Sequence, residues 1–104
     1  DVLKIVFLSR ISKDKNIFFT FNILNKIKKK LEFHIYGPIE DQDLWENFNK
    51  KIKKLTSNIV VNYKGPVKKK NVKAILSRYD IFFENLNVVI FYCEPLTYFR
   101  VPLF

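Results

Sequence analysis

Two cations in one short loop are the residues best placed to do chemistry. Arg10 and Lys15 lie in the polar stretch Ser9-Arg10-Ile11-Ser12-Lys13-Asp14-Lys15-Asn16, which follows an apolar run at Leu3, Ile5, Val6, Phe7 and Leu8. Such a run reads as a strand covered on both faces. The loop then sits at the strand's carboxyl end, the edge on which open α/β sheets bind ligands. Arg offers a planar fork of donors and Lys a mobile point charge, a pair suited to a phosphate-like anion. The same residues are also what a solvated loop with two surface cations would carry. Other chemistry is scarce. His34 stands inside an apolar strand with no Cys or His at ligand spacing, so a metal site is not expected. With only Gly37 and Gly65 available, neither G-x-G-x-x-G nor G-x-x-x-x-G-K-[ST] can be written. That argues against a dinucleotide-dependent oxidoreductase and a P-loop nucleotidase. No Ser-centred nucleophile elbow is present.

The elements that must position the loop follow in alternation. Ile17, Phe21, Leu24 and Ile27 recur at i, i+4, i+7 and i+10, one face of an amphipathic helix. Leu31 to Tyr36 read as a second strand closed by Gly37-Pro38. Glu40, Asp41 and Asp43 open a second helix, where carboxylates favour the N-terminal dipole; Leu44, Phe48, Ile52 and Leu55 form its buried stripe, with Trp45 beside it. Ile59 to Tyr63 make a third strand ended by Gly65-Pro66. Val72, Ile75, Leu76 and Tyr79 predict a short third helix, and Asp80-Ile81-Phe82-Phe83 a fourth strand. Strands alternating with helices imply an α/β, three-layer Rossmann-like domain with a mostly parallel sheet.

Composition sets the outer bounds. The 104 residues include 11 Phe and are 48% hydrophobic, enough for one domain with a modest core and too apolar for disorder. No apolar run approaches the ~20 residues of a membrane span. No signal or transit peptide is read at the start, and Cys93 alone excludes an internal disulfide framework, so a cytoplasmic location is expected. The formal charge of +9 is concentrated at Lys28-Lys29-Lys30, Lys50-Lys51-Lys53-Lys54 and Lys68-Lys69-Lys70. The first two clusters are expected in the last turns of helices, where they complement the dipole. They read first as solvated faces, next as a surface for anionic membrane at the inner leaflet. Nucleic acid is the least favoured partner.

The run Phe7 to Asn16 resembles the "F-[VL]-[GS]-R-[LI]-x-x-x-K-[GN]" signature that opens the C-terminal domain of group 1 (family 4) glycosyltransferases of GT-B fold. The resemblance continues in order through Ile35-Tyr36-Gly37-Pro38-Ile39-Glu40-Asp41, then Asn62-Tyr63-Lys64-Gly65-Pro66-Val67, then Leu76 to Phe83, about four fifths of the chain. It implies one half of a GT-B fold and a nucleotide-sugar donor site at the carboxyl edge of the sheet. Arg10 and Lys15 match the positions that contact the donor's diphosphate and would neutralise the leaving nucleoside diphosphate. Ser9 and Gly37 match positions beside the nucleotide, although a plain turn accounts for Gly37 equally well. Asn16 replaces the usual Gly after the Lys, and Asn tolerates a left-handed backbone.

After Phe83 the resemblance decays. Family members carry a loop and then "E-N-F-G-H-V-I-x-E"; here Glu84-Asn85-Leu86-Asn87-Val88-Val89-Ile90 follows Phe83 directly. Glu84, matched to a Glu near the donor sugar, is the catalytic candidate, with Asn85 beside it. Tyr92 stands at the second Glu position, and Glu94 is out of register by two. Residues 1–83 therefore read as the donor-binding core and 84–104 as a degenerate remainder of the same domain. A frameshifted fragment, a non-catalytic paralogue and a divergent member with a rebuilt site all fit. The resemblance implies a parent enzyme transferring a hexosyl-type sugar. Without the N-terminal acceptor domain, the chain by itself is expected not to catalyse transfer. The competing class is a non-enzymatic basic binding module for a membrane surface or nucleic acid.

Overall fold

The computed structural model describes residues 2–54, 58–85, 88–93 and 97–102, with side chains described up to residue 82. The chain runs β1 (Leu3–Leu8), α1 (Ile17–Leu24), β2 (Leu31–Tyr36), α2 (Gln42–Lys53), β3 (Ile59–Gly65), α3 (Val72–Leu76), β4 (Ile81–Asn85), β5 (Val88–Cys93) and β6 (Thr97–Pro102). One sheet has the order β3-β2-β1-β4-β5-β6. The first four strands in that order are mutually parallel, and β5 and β6 extend the sheet antiparallel. This is an α/β architecture with a four-stranded parallel sheet and three helices, compatible with a Rossmann-like fold. Leu55, the last residue of the expected α2 stripe, lies outside the described residues.

β1 is central because its side chains are apolar on both faces. Ile5, Val6 and Phe7 are all buried. Ile5 and Phe7 join Leu31, Phe33 and Ile35 of β2 beneath Ile17, Phe21 and Leu24 of α1 and Phe48 of α2. Val6 faces the other way, into a smaller cluster with Leu76, Tyr79 and Phe82. The sheet thus has α1 and α2 on one side and α3 on the other. Phe48 carries the larger core: its ring is edge-on to Phe18 and Phe21, each at 5.6 Å, and stacked on Trp45 at 5.7 Å. Burying an aromatic side chain of this size contributes about 2–3 kcal/mol.

Helix ends follow local chemistry where nothing overrides it. Asn16 adopts the left-handed conformation, with φ 49°, and its side chain accepts from the Phe19 N–H at 3.2 Å to cap α1. Asn therefore does here what Gly would do. Asp41 caps α2 by accepting from the Leu44 N–H at 3.0 Å, and Lys50, Lys51 and Lys53 occupy its last turn, as expected. The first lysine cluster departs from expectation. α1 ends at Leu24, so Lys28-Lys29-Lys30 precede β2 instead of closing a helix. The sheet claims that backbone: the Leu3 N–H donates to the Lys30 carbonyl at 3.0 Å, and the Asn58 amide donates to the carbonyls of Ile27 and Lys29. Tertiary pairing outweighs the helical period over these residues. Ile27 still packs on the core from outside the helix. Tyr79 similarly lies beyond the end of α3, yet only 6% of its surface is exposed.

Candidate functional site

The strand order reverses at β1. The chain steps outward from β1 to β2 and β3, then returns to place β4 on the other side of β1. In open α/β sheets the crevice at such a reversal, beyond the strands' carboxyl ends, is where ligands bind. The loop from Ser9 to Asn16 leaves β1 at that edge. Phe83 pairs with Phe7, so Glu84 and Asn85 end β4 on the same edge. Their side chains, and all of Glu94, lie outside the described residues.

Backbone bonds fix the edge. The Ser9 N–H donates to the Tyr36 carbonyl at 3.0 Å, the Ile11 N–H to Pro38 at 2.9 Å, and the Gly37 N–H to Gly65 at 3.0 Å. Ile11 and Ile39 form a parallel bridge, and the Tyr63 hydroxyl donates to the Gly37 carbonyl. The loops after β1, β2 and β3 are therefore tied into one unit. Gly37 is required by that contact. It has φ +140°, and a Cβ there would stand 1.8 Å from the Ser9 carbonyl oxygen. The physical reason for this glycine is loop-on-loop packing. It places Ser9, Arg10, Gly37 and Pro38 around an open hollow of about 190 Å³, closed on the α3 side by Val67 and Val72.

Arg10 does not stand alone at the rim. Its guanidinium lies 3.4 Å from Glu40, read from the sequence only as a helix-opening carboxylate, and 3.7 Å from Asp14. Asp14 accepts a hydrogen bond from the Ser12 hydroxyl; that bond, with further help from the charges of Arg10 and Lys15, holds its carboxyl below the usual range. Lys15 ends a 3-10 turn, Lys13–Lys15, directly before the Asn16 cap. The charges of Arg10 and Lys15 thus both act on Asp14, but of the two only Arg10 lines the hollow. The Arg10 side chain is 51% exposed and its partners are comparably solvated. Ion pairs of this kind contribute roughly 0–1 kcal/mol, little enough for a stronger anion to displace. The Arg10–Glu40 pairing joins residues 30 positions apart, and no local signal announces it.

Among the described residues no group of three or more His, Cys, Asp and Glu side chains gathers as a metal set requires. No helix among them is long and apolar enough to cross a membrane. No family model, curated protein or solved structure matches the chain.

Proposed function

We propose that the carboxyl edge of this sheet binds the diphosphate of a nucleotide-sugar, in a three-layer Rossmann-like domain equivalent to the donor-binding half of a group 1 GT-B glycosyltransferase. The observation that carries the reading is the coincidence of the strand-order reversal with the Arg10–Lys15 loop. At that edge α1 begins at Ile17, one residue beyond Lys15, so the positive end of its dipole adds to the two cations. Arg10 would exchange its weak, solvated carboxylate partners for phosphate oxygens, to which a guanidinium fork makes shorter, charge-assisted bonds. Lys15 would contribute charge with less directional demand.

In this reading Ser9 and Gly37 flank the nucleotide, Glu84 is the catalytic candidate, and Asn85 and Glu94 are the further candidates for binding the nucleotide or sugar. The acceptor would be held by a second domain, so these residues alone bind donor without transferring it. The reaction of the parent enzyme would move the sugar to an acceptor as the glycosidic bond to the diphosphate breaks. Positive charge at the edge would stabilise the departing nucleoside diphosphate, an electrostatic role that needs no resident cofactor.

Calorimetric titration with UDP and with GDP tests the reading. Saturable binding is expected for one of them and is expected to fall about tenfold or more in Arg10→Ala/Lys15→Ala, given charge-assisted bonds of about 1.5–3 kcal/mol each. Absence of binding, or binding indifferent to that double substitution, contradicts it. Salt-dependent binding to RNA or anionic vesicles in place of UDP and GDP would favour a basic binding module instead.

A further inference from the structure

The α3 side of the sheet carries a second hollow, of about 180 Å³, lined by Lys4, His34, Tyr36, Lys64, Arg78 and Tyr79. It shares no lining residue with the carboxyl-edge hollow. Its parts converge from across the fold: Lys4 from β1, His34 and Tyr36 from β2, Lys64 from β3, and Arg78 and Tyr79 from the segment after α3. Lys64 follows Tyr63, whose ring lies against Trp45 of α2, so strand alternation turns it to the α3 side. Ile35 pairs with Tyr63 and Tyr36 with Gly65, leaving Lys64 as the extra residue between them.

The floor is an ordered hydrogen-bond chain. The Tyr79 hydroxyl lies 2.6 Å from His34 Nδ1 and 3.1 Å from the Tyr36 hydroxyl, and His34 Nε2 lies 3.4 Å from Glu32. Lys4, Lys64 and Arg78 form an exposed rim. The ion pairs among the described residues are Arg10 with Asp14, Arg10 with Glu40 and His34 with Glu32, so none uses a rim cation. Asp80, the other carboxylate close by, accepts from the Lys4 backbone N–H at 2.8 Å. Among the described residues, then, three cations without a paired carboxylate surround a hollow with a tyrosine hydroxyl at its floor.

The chain has a direction set by the proton inventory of its members. The Glu32 carboxylate can only accept, so neutral His34 carries its proton on Nε2. Its Nδ1 then accepts from Tyr79, and Tyr79 accepts from Tyr36, whose proton points into the chain. When His34 is protonated, Nδ1 donates to Tyr79, Tyr79 donates to Tyr36, and the Tyr36 proton is released toward the hollow. Burial, with the charges of Lys64 and Lys4 against the opposing pull of Glu32, holds the His34 pKa below its ordinary value, which favours the neutral ring at pH 7.

We propose that this hollow binds a phosphate group, free or as the monoester of a small molecule, with Lys4, Lys64 and Arg78 neutralising it and Tyr36 donating to it as His34 takes up a proton. A dianion matches three converging cations better than a single carboxylate does, and the Arg78 fork suits its oxygens. Occupancy offsets the fields of Lys4 and Lys64 at His34, so anion binding and proton binding reinforce each other.

The test is an NMR titration of the chain with inorganic phosphate and, separately, with glycerol phosphate at fixed ionic strength. Amide shifts and the His34 ring are followed together. Saturable shifts are expected at Lys4, Lys64, Arg78 and Tyr79, weakened about tenfold in Lys64→Ala and again in Arg78→Ala. Both are exposed positions whose removal leaves the core intact. The His34 titration midpoint is expected to rise in the presence of phosphate. Tighter binding of glycerol phosphate identifies the monoester as the ligand form, and tighter binding of phosphate the free ion. Shifts that do not saturate, that persist unchanged in both variants, or that are confined to Ser9–Asn16 overturn the proposal, as does a His34 midpoint indifferent to phosphate.

Discussion

The two faces of this sheet are built from the same strands and serve different ends. On the α1–α2 side, Ile5, Phe7, Phe33 and Ile35 meet Phe21 and Phe48 in a continuous buried cluster. On the α3 side the buried cluster among the described residues is Val6, Leu76, Tyr79 and Phe82, and Glu32, His34 and Tyr36 stay in reach of solvent. The cause is helix length: α2 spans 12 residues and α3 only 5. A short helix leaves part of the sheet uncovered, and polar side chains occupy what it does not cover. Stability is concentrated on one face, which frees the other face and the carboxyl edge to carry charge.

The comparison breaks most readily at Phe48. Phe48→Ala removes the ring that contacts Phe18, Phe21 and Trp45 and is expected to cost about 4 kcal/mol, measured by urea denaturation. A cost under about 1 kcal/mol would mean that the α1–α2 face does not carry the core. Gly37→Ala probes the edge. Its Cβ meets the Ser9 carbonyl and its φ suits only glycine, so a loss of about 3 kcal/mol is expected, along with altered amide shifts through Ser9 and Arg10. The smallest effect belongs to the open face. Because the folded state depresses the His34 pKa, its stabilising contribution is present above the ordinary value of 6.5 and is lost as pH falls through the lower folded value. Denaturation at about pH 7.5 and about pH 5.5 should show wild type weakening on acidification and His34→Gln weakening less. Equal losses in the two proteins would remove His34 from that account.

The frame of this fold is written locally, and its chemistry is not. The apolar run through Leu3 to Leu8 marks the central strand because a buried parallel strand needs little else. Asn16 marks the start of α1 because few residues other than Gly accept its backbone angles. The end of α1 was not legible, since Asn58 and the β1–β2 ladder decide it from elsewhere in the chain. Arg10 was legible as a loop cation, but its pairing with Glu40 depends on two loops meeting. The row Glu32, His34, Tyr36 was available in the alternation of Leu31 to Tyr36, where every second residue is polar. That alternation turns the three polar side chains to one face of the sheet and the three apolar ones to the other. Its partner Tyr79 arrives from 45 positions away, which no spacing rule reports. The fate of the Glu84 and Asn85 side chains and of Glu94 falls outside the described residues.

The most direct test of the central claim is a residue-resolved NMR titration with UDP. The account predicts saturable amide shifts at Ser9, Arg10, Asn16 and Gly37, unchanged signals across the Phe7–Phe33–Phe48 core, and loss of the response in Arg10→Ala/Lys15→Ala. Shifts centred on Lys4, Lys64 and Arg78 with a silent carboxyl edge, or edge shifts that survive the double substitution, would contradict it.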